Sequence, residues 1–245
     1  MISAVRITKV DDLKTFAIFD LDYTLTKRGT WGRFVWKSVK SRPYLWGPLL
    51  VSTIVFQIQY KLGKLPRGAV KKTMMKWSLQ RYNRSELESM AEMFAESEVK
   101  TGLRPGAIAA LKYHEEQGHQ IVLASAAVDL VVEPIAQKLG IADFVATELS
   151  WCGENQLMSE FASPNCYGTA KLDRVKTLLS KMVTDEPYRV VFYSDSKADL
   201  PVLEFADVGI VVDPSAKFKA YAESNKLPVQ HWSENEGGFK VVDVI

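Results

Sequence analysis

The chain has 245 residues, 47% of them hydrophobic, with 31 basic and 29 acidic side chains and a formal net charge of +2. That length and apolar fraction exclude wholesale disorder and allow a sizeable core, as one large domain or a domain with an insertion. Two cysteines without CxxC spacing, Cys152 and Cys166, exclude a disulfide scaffold and a thiolate zinc site and point to the reducing cytoplasm.

The N-terminal stretch MISAVRITKVDDLKTF has no long apolar run before its first acids and does not read as a signal peptide. A first strand is predicted over Thr15–Leu21, running into the polar sequence FDLDYTLT. Residues 27–100 then read as helix throughout, a helical cap inserted after that strand. Their composition is unlike the rest. Between Tyr23 and Ser85 stand fourteen Lys/Arg residues, four of the six tryptophans and no Asp, Glu or His, leaving a net −12 elsewhere. Even interspersion would place about seven acids there. Inside this window Pro43–Tyr60 is an uncharged run of eighteen residues, PYLWGPLLVSTIVFQIQY, bounded by basic residues on both sides. As a helix it would be about 27 Å long, at the short limit for a bilayer span, and Gln57 and Gln59 disfavour a full span. Two readings stay open for it: the buried centre of a helical bundle, or an element lying on an anionic membrane surface through residues 31–72. The uncharged run argues against nucleic acid as the partner of these basic and aromatic residues.

From residue 101 strands and helices alternate. A helix opens at Pro105 and stops at Gly118; a strand covers Gln120–Ser125; a second helix covers Val128–Leu139, with a kink expected at Pro134. Further strands are predicted at Phe144–Glu148, Arg189–Ser194 and Val208–Asp213, and helices at Lys171–Met182 and Lys197–Ala206. The apolar strand runs and alternating order define an α/β, Rossmann-like parallel sheet covered on both faces. The catalytic core is assigned to 1–26 and 101–245 and the cap to 27–100. His114, His119 and His231 show no metal spacing and read as surface residues. Asp213-Pro214 reads as a turn, and Asn225–Ile245 shows no functional signal.

Ligands of open parallel sheets bind beyond the C-terminal strand ends. There this sequence places Asp20 and Asp22, then Ser125, then Lys171 just after Gly168, then Asp195 and Asp199. Clustered carboxylates need a cation, and an all-oxygen site suits Mg²⁺. Asp20 can attack phosphorus while the metal shields two anions from each other. Asp22, on the same side of an extended strand, can protonate a leaving alkoxide and then deprotonate water. Ser125 and Lys171 can hold the non-bridging phosphoryl oxygens.

FDLDYTLT, LAS, GTAK and YSDSKAD, in that order at strand ends, resemble the four motifs of haloacid dehalogenase superfamily phosphatases. The resemblance covers roughly 15–26 and 100–215. It implies that Asp20 is the nucleophile and Asp22 the acid/base. It implies Mg²⁺ held by Asp20, Asp195 and the backbone carbonyl of Asp22, with Asp199 in support. Thr24, Ser125, Ala126 and Lys171 would serve the phosphoryl group and the nucleophile loop. ASAAVDLVVEPIAQKLGI and YSDSKADLPVLEFAD look similar to the subfamily (IB) of phosphoserine phosphatase and phosphatidylglycerophosphatase C. Phosphoserine phosphatases usually carry Glu nine residues beyond the nucleophile, where this chain has Gly29. The expected activity is therefore hydrolysis of a membrane lipid phosphate such as phosphatidylglycerophosphate, in the cytoplasm or peripherally on the inner face of the membrane. A soluble metabolite phosphatase, phosphoserine included, and a non-catalytic lipid-binding module remain the alternatives.

Overall fold

A computed structural model describes residues 13–184, 186–233 and 236–242. Residues 1–12, on which most of the leader reading falls, and part of the tail lie outside the described residues. Strand β1 (Lys14–Phe19) pairs with β2 (Gln120–Val128) on one side and β6 (Tyr188–Ser194) on the other. With β3 (Asp143–Thr147), β7 (Val208–Val212) and β8 (Val229–Gln230) they form one parallel sheet in the order β3-β2-β1-β6-β7-β8. The chain reverses its direction of travel across the sheet between β1 and β6, so a crevice opens there at the C-terminal strand ends.

Both faces are covered, which is why the strands read as near-continuous apolar runs. Phe16, Ile18, Val122, Val190 and Phe192 pack under α7 (Thr169–Met182), α8 (Leu200–Phe205) and α9 (Ala216–Ser224). Ala17, Phe19, Leu123 and Tyr193 face α5 (Pro105–Glu116), α6 (Asp129–Lys138) and the buried Trp232. Pro134 lies inside α6, which continues through it, where a kink was expected. His114 is buried against Phe19, Tyr113 and Tyr193 and bonds the Tyr193 hydroxyl at 3.0 Å, contrary to its surface reading. Burial pushes its pKa down to about 3, so the ring is neutral.

Residues between β1 and α5 are helical: α1 (Thr30–Val39), α2 (Trp46–Lys61), α3 (Arg67–Ser78) and α4 (Arg84–Thr101). The two chain crossings into this insertion run side by side, with Thr26 and Leu103 in an antiparallel bridge. Its interior residues Phe34, Val39, Met75, Leu79 and Phe94 belong to the same apolar cluster as the α5/α6 face of the sheet. A hairpin not foreseen from the sequence, β4 (Leu149–Cys152) with β5 (Gln156–Phe161), reaches up to α3. There Lys72 pairs with Glu160; just beyond α3 Gln80 bonds Ser159 at 2.5 Å, and Arg84, at the start of α4, sets its guanidinium 5.0 Å from the Trp151 ring centre.

Helix α2 breaks the burial pattern. Of its sixteen residues only Leu49 is buried, while Leu50, Val51, Ile54, Val55 and Ile58 are each 43–62% exposed. The reading of this run as a bundle centre does not hold. At about 24 Å it is short, and no helix among the described residues is long and apolar enough to cross a membrane.

Candidate active site

Strand β1 delivers Asp20 to the crevice, where its backbone N–H still donates to the Tyr193 carbonyl at 2.9 Å. The next five residues, Leu21–Leu25, make one tight turn with Tyr23 in the left-handed region (φ 64°). Thr26 closes it, its N–H and hydroxyl both donating to the Leu21 carbonyl at 3.0 Å. The turn brings Thr24 back beside Asp20 and up to Asp195 at the end of β6. Thr24 Oγ1 accepts from the Asp195 N–H at 3.0 Å and lies 3.2 Å from Asp20 Oδ2 and 3.4 Å from Asp195 Oδ1. It has one proton to give, so the two carboxylates share it.

Lys171 is 1% exposed and spans Asp20 Oδ1 at 2.8 Å and Asp199 Oδ2 at 2.7 Å. The Ser194 hydroxyl donates to the same Asp199 oxygen at 2.8 Å. Gly168 aims Lys171 into the crevice: its φ of 60° at the start of α7 would strain any side chain. Two buried carboxylates around one buried ammonium hold that ammonium protonated, above its ordinary range. Burial drives the Asp20 carboxyl upward, against the pull of Lys171, and Asp199 and Asp195 add to the rise. Asp195 is pushed up to about 6, by burial first and then by Asp199.

Asp22 points elsewhere. Its Oδ1 accepts from the Thr30 N–H at 2.8 Å and the Thr30 hydroxyl at 2.7 Å, at the N-terminus of α1. Ser125 and Ala126 stand at the same sheet edge on β2, but share no hydrogen bond with Asp20 or Lys171. The strand was expected to end at Ser125; it continues to Val128, and its register against β3 slips between Ala124 and Val128. Such a bulge re-aims the residues within it. Ser125 Oγ accepts from the Ala127 N–H at 3.0 Å, and the Ala126 carbonyl takes the Thr147 hydroxyl at 2.9 Å.

Among the described residues no three His, Cys, Asp or Glu side chains gather to hold a metal. Asp20 and Asp195 are two carboxylates joined through Thr24, with the Asp22 carbonyl in the same turn. The carboxyls of Asp20 and Asp195 are both pushed upward by burial. This donor set is all hard oxygen and short of positive charge, so it fits Mg²⁺.

Sequence reasoning missed four residues here. Thr30 holds Asp22, Lys71 and Thr147 bond the Ala126 carbonyl, and Asn165 Oδ1 bonds both of them. Lys71 had only its place in the basic window to signal it, shared with thirteen other cations. The hydroxyls and the amide carry no local signature.

A crevice lined by strand-end carboxylates at the reversal of a parallel sheet is where such folds bind their ligands. The chain belongs to the haloacid dehalogenase-like hydrolases, whose family description matches residues 17–204. It is 24% identical to a histidinol-phosphatase of Neisseria meningitidis serogroup C, over 89% of this chain and 98% of that protein. Protein CicA of Caulobacter vibrioides is 25% identical over 77% of this chain and 82% of its own length. A solved structure of a Bordetella pertussis Tohama I protein of unknown function superposes with a TM-score of 0.76 at 23% identity. The superposition covers 89% of this chain and 98% of the other.

Proposed function

We propose that this chain, a phosphatase of the haloacid dehalogenase-like hydrolases, is Mg²⁺-dependent and removes the phosphomonoester of a membrane lipid such as phosphatidylglycerophosphate. Asp20 is the nucleophile: its carboxylate oxygen forms a bond to phosphorus as the ester P–O bond breaks, giving an aspartyl-phosphate. Asp22 gives the departing alkoxide its proton, then takes one from the water that hydrolyses the aspartyl-phosphate, returning Asp20 free and releasing phosphate. Lys171, Ser125 and the Ala126 N–H hold the non-bridging oxygens, and Thr24 and Asp199 hold Asp20 and Lys171 in place. Asp20, Asp195 and the Asp22 carbonyl would hold Mg²⁺, which would supply the positive charge that lets one anion approach another.

The lipid assignment is carried by α2: a row of exposed aliphatic side chains inside a 63-residue stretch with no acid. Exposed apolar surface of this extent marks an interaction site. Its frame of Trp36, Tyr44, Trp77, Lys40, Lys61 and Lys64 has the aromatic and cationic chemistry of an anionic bilayer surface. Residues 27–100 act as a cap over the crevice, held on the membrane by that face. Gly29 argues against phosphoserine. Where phosphoserine phosphatases usually carry an ammonium-binding Glu, Gly29 supplies no carboxylate. A soluble metabolite ester is the second reading, favoured by the near full-length match to the Neisseria histidinol-phosphatase.

The test is Mg²⁺-dependent phosphate release from phosphatidylglycerophosphate in anionic vesicles, beside phosphoserine and histidinol phosphate, with Asp20→Asn as control. Turnover of the lipid, lost in the variant, is the expected result. Turnover of a soluble ester alone would overturn the lipid reading and keep the phosphatase.

A further inference from the structure

Helix α3 packs on β5 and sends Lys71 across to the core, where its Nζ donates to the Ala126 carbonyl and to Asn165 Oδ1 at 2.7 Å. Thr147 donates to the same carbonyl and lies 3.1 Å from the same amide oxygen. An ammonium has three N–H groups, and among the described residues the third has no acceptor. Arg67, one turn earlier on the same helix, extends the cationic face, with its guanidinium 4.5 Å from the Tyr167 ring centre. Around Lys71 the charges are Arg67 and Lys171, which repel it, and the Asp22 carboxylate, which attracts it without an ion-pair contact; the Cys166 thiol lies nearby. Burial is the larger effect and pulls the amine down to about 8. Half-buried, with an N–H to spare and no paired anion, the amine is open to a ligand that supplies the charge.

Resting on the phosphatase reading above, we infer that Lys71 is a specificity residue that binds a second anionic group on the leaving alcohol, close to the scissile ester. The residue whose carbonyl it bonds, Ala126, directly follows Ser125, so the amine stands at the edge of the phosphoryl-binding strand, on the side from which the insertion covers it. A phosphodiester or carboxylate attached to the departing alcohol completes the third hydrogen bond and pairs the charge. A neutral alcohol leaves the amine unpaired, and an amine-bearing alcohol is repelled by Lys71 and Arg67 together. The preferred ester is therefore one whose alcohol is itself anionic.

The experiment compares kcat/KM for phosphatidylglycerophosphate, whose departing alcohol carries a phosphodiester, with phosphatidic acid, whose departing diacylglycerol is neutral. Both are presented in mixed micelles of an uncharged detergent, so that membrane charge plays no part. A soluble pair, 3-phosphoglycerate against glycerol 3-phosphate, is run in parallel. Wild type should favour the anionic alcohol by about tenfold or more, the worth of one charge-assisted hydrogen bond. Lys71→Gln should bring that ratio to within about threefold of unity and Lys71→Arg should restore most of it. A wild-type ratio near one in both pairs overturns the inference without any variant, as does a ratio that Lys71→Gln leaves intact. Failure of the underlying reading looks different: no ester of the four would be turned over faster than by Asp20→Asn, and the inference would fall with it.

Discussion

The strand-end crevice and helix α2 invert the ordinary burial rule in opposite directions. In the crevice Asp20, Asp199 and Lys171 are 5%, 2% and 1% exposed; on α2 five aliphatic side chains lie in solvent. The first inversion is compensated internally: one ammonium bonds two carboxylates, the Thr24 hydroxyl reaches the other Asp20 oxygen, and the Ser194 hydroxyl donates to the Asp199 oxygen that Lys171 bonds. The second has no compensation among the described residues. A polar cluster that is nearly complete needs only its substrate and cation, whereas an apolar face left open calls for a surface to lie on. On the proposed reading the two regions answer different questions, the crevice what is done and α2 where.

The comparison breaks most visibly at Asp20. Asp20→Asn should lower phosphate release by on the order of 10³-fold or more, since removing a nucleophile leaves only binding behind. Steady-state release at saturating ester checks this, and a loss of under about tenfold would remove Asp20 from the chemistry. Lys171→Met should cost about 3–5 kcal/mol in urea unfolding, because it strands two buried carboxylates without their cation. A cost below about 1 kcal/mol would mean the cluster is not the internally balanced unit described here.

A smaller effect follows from Asp195. Its folded pKa, raised to about 6, exceeds the ordinary carboxylate value of 3.8. The folded chain then holds this proton more tightly than the unfolded one. The associated stability is present below about pH 4 and is lost as pH rises through 6. With a chelator present, the melting temperature of wild type relative to Asp195→Asn should fall across that window. Added Mg²⁺ should restore it above pH 6 and do little below pH 4. A difference flat in pH would contradict the shift. Smallest in stability is α2: Leu50→Ser, Val51→Ser, Ile54→Ser and Ile58→Ser should each change unfolding free energy by about 0.5 kcal/mol or less, being exposed. Together they should abolish co-sedimentation with anionic vesicles. Large destabilisation would return α2 to a packing role.

Much of this was legible because strands covered on both faces advertise themselves. IVLAS and VVFYS are apolar with no polar side, and five of the six sheet strands follow directly from such runs. The site residues were legible for a related reason: charged groups interrupt those runs only at the strand ends. The sixth strand, Val229–Gln230, is two residues long and exists because β7 offers it an edge. The β4–β5 hairpin and its contacts to α3 depend on a partner more than seventy residues away. Lys71 was one of fourteen cations in its window, and only the folded seam, where it bonds Ala126 and Asn165, distinguishes it. His114 was misread for the same reason, as the aromatic cluster that neutralises it comes from four separate segments. Isolated polar residues acquire their roles from tertiary placement, which periodicity does not encode.

The most direct test of the division between what is done and where uses one head group in two physical forms. Phosphate release is measured from phosphatidylglycerophosphate in anionic vesicles and from a short-chain, monomeric version of the same ester, for wild type and for the fourfold α2 serine variant. The account predicts that the variant loses vesicle turnover by about tenfold or more while monomer turnover stays within about twofold of wild type. Parallel loss on both forms, or no loss on either, would contradict it.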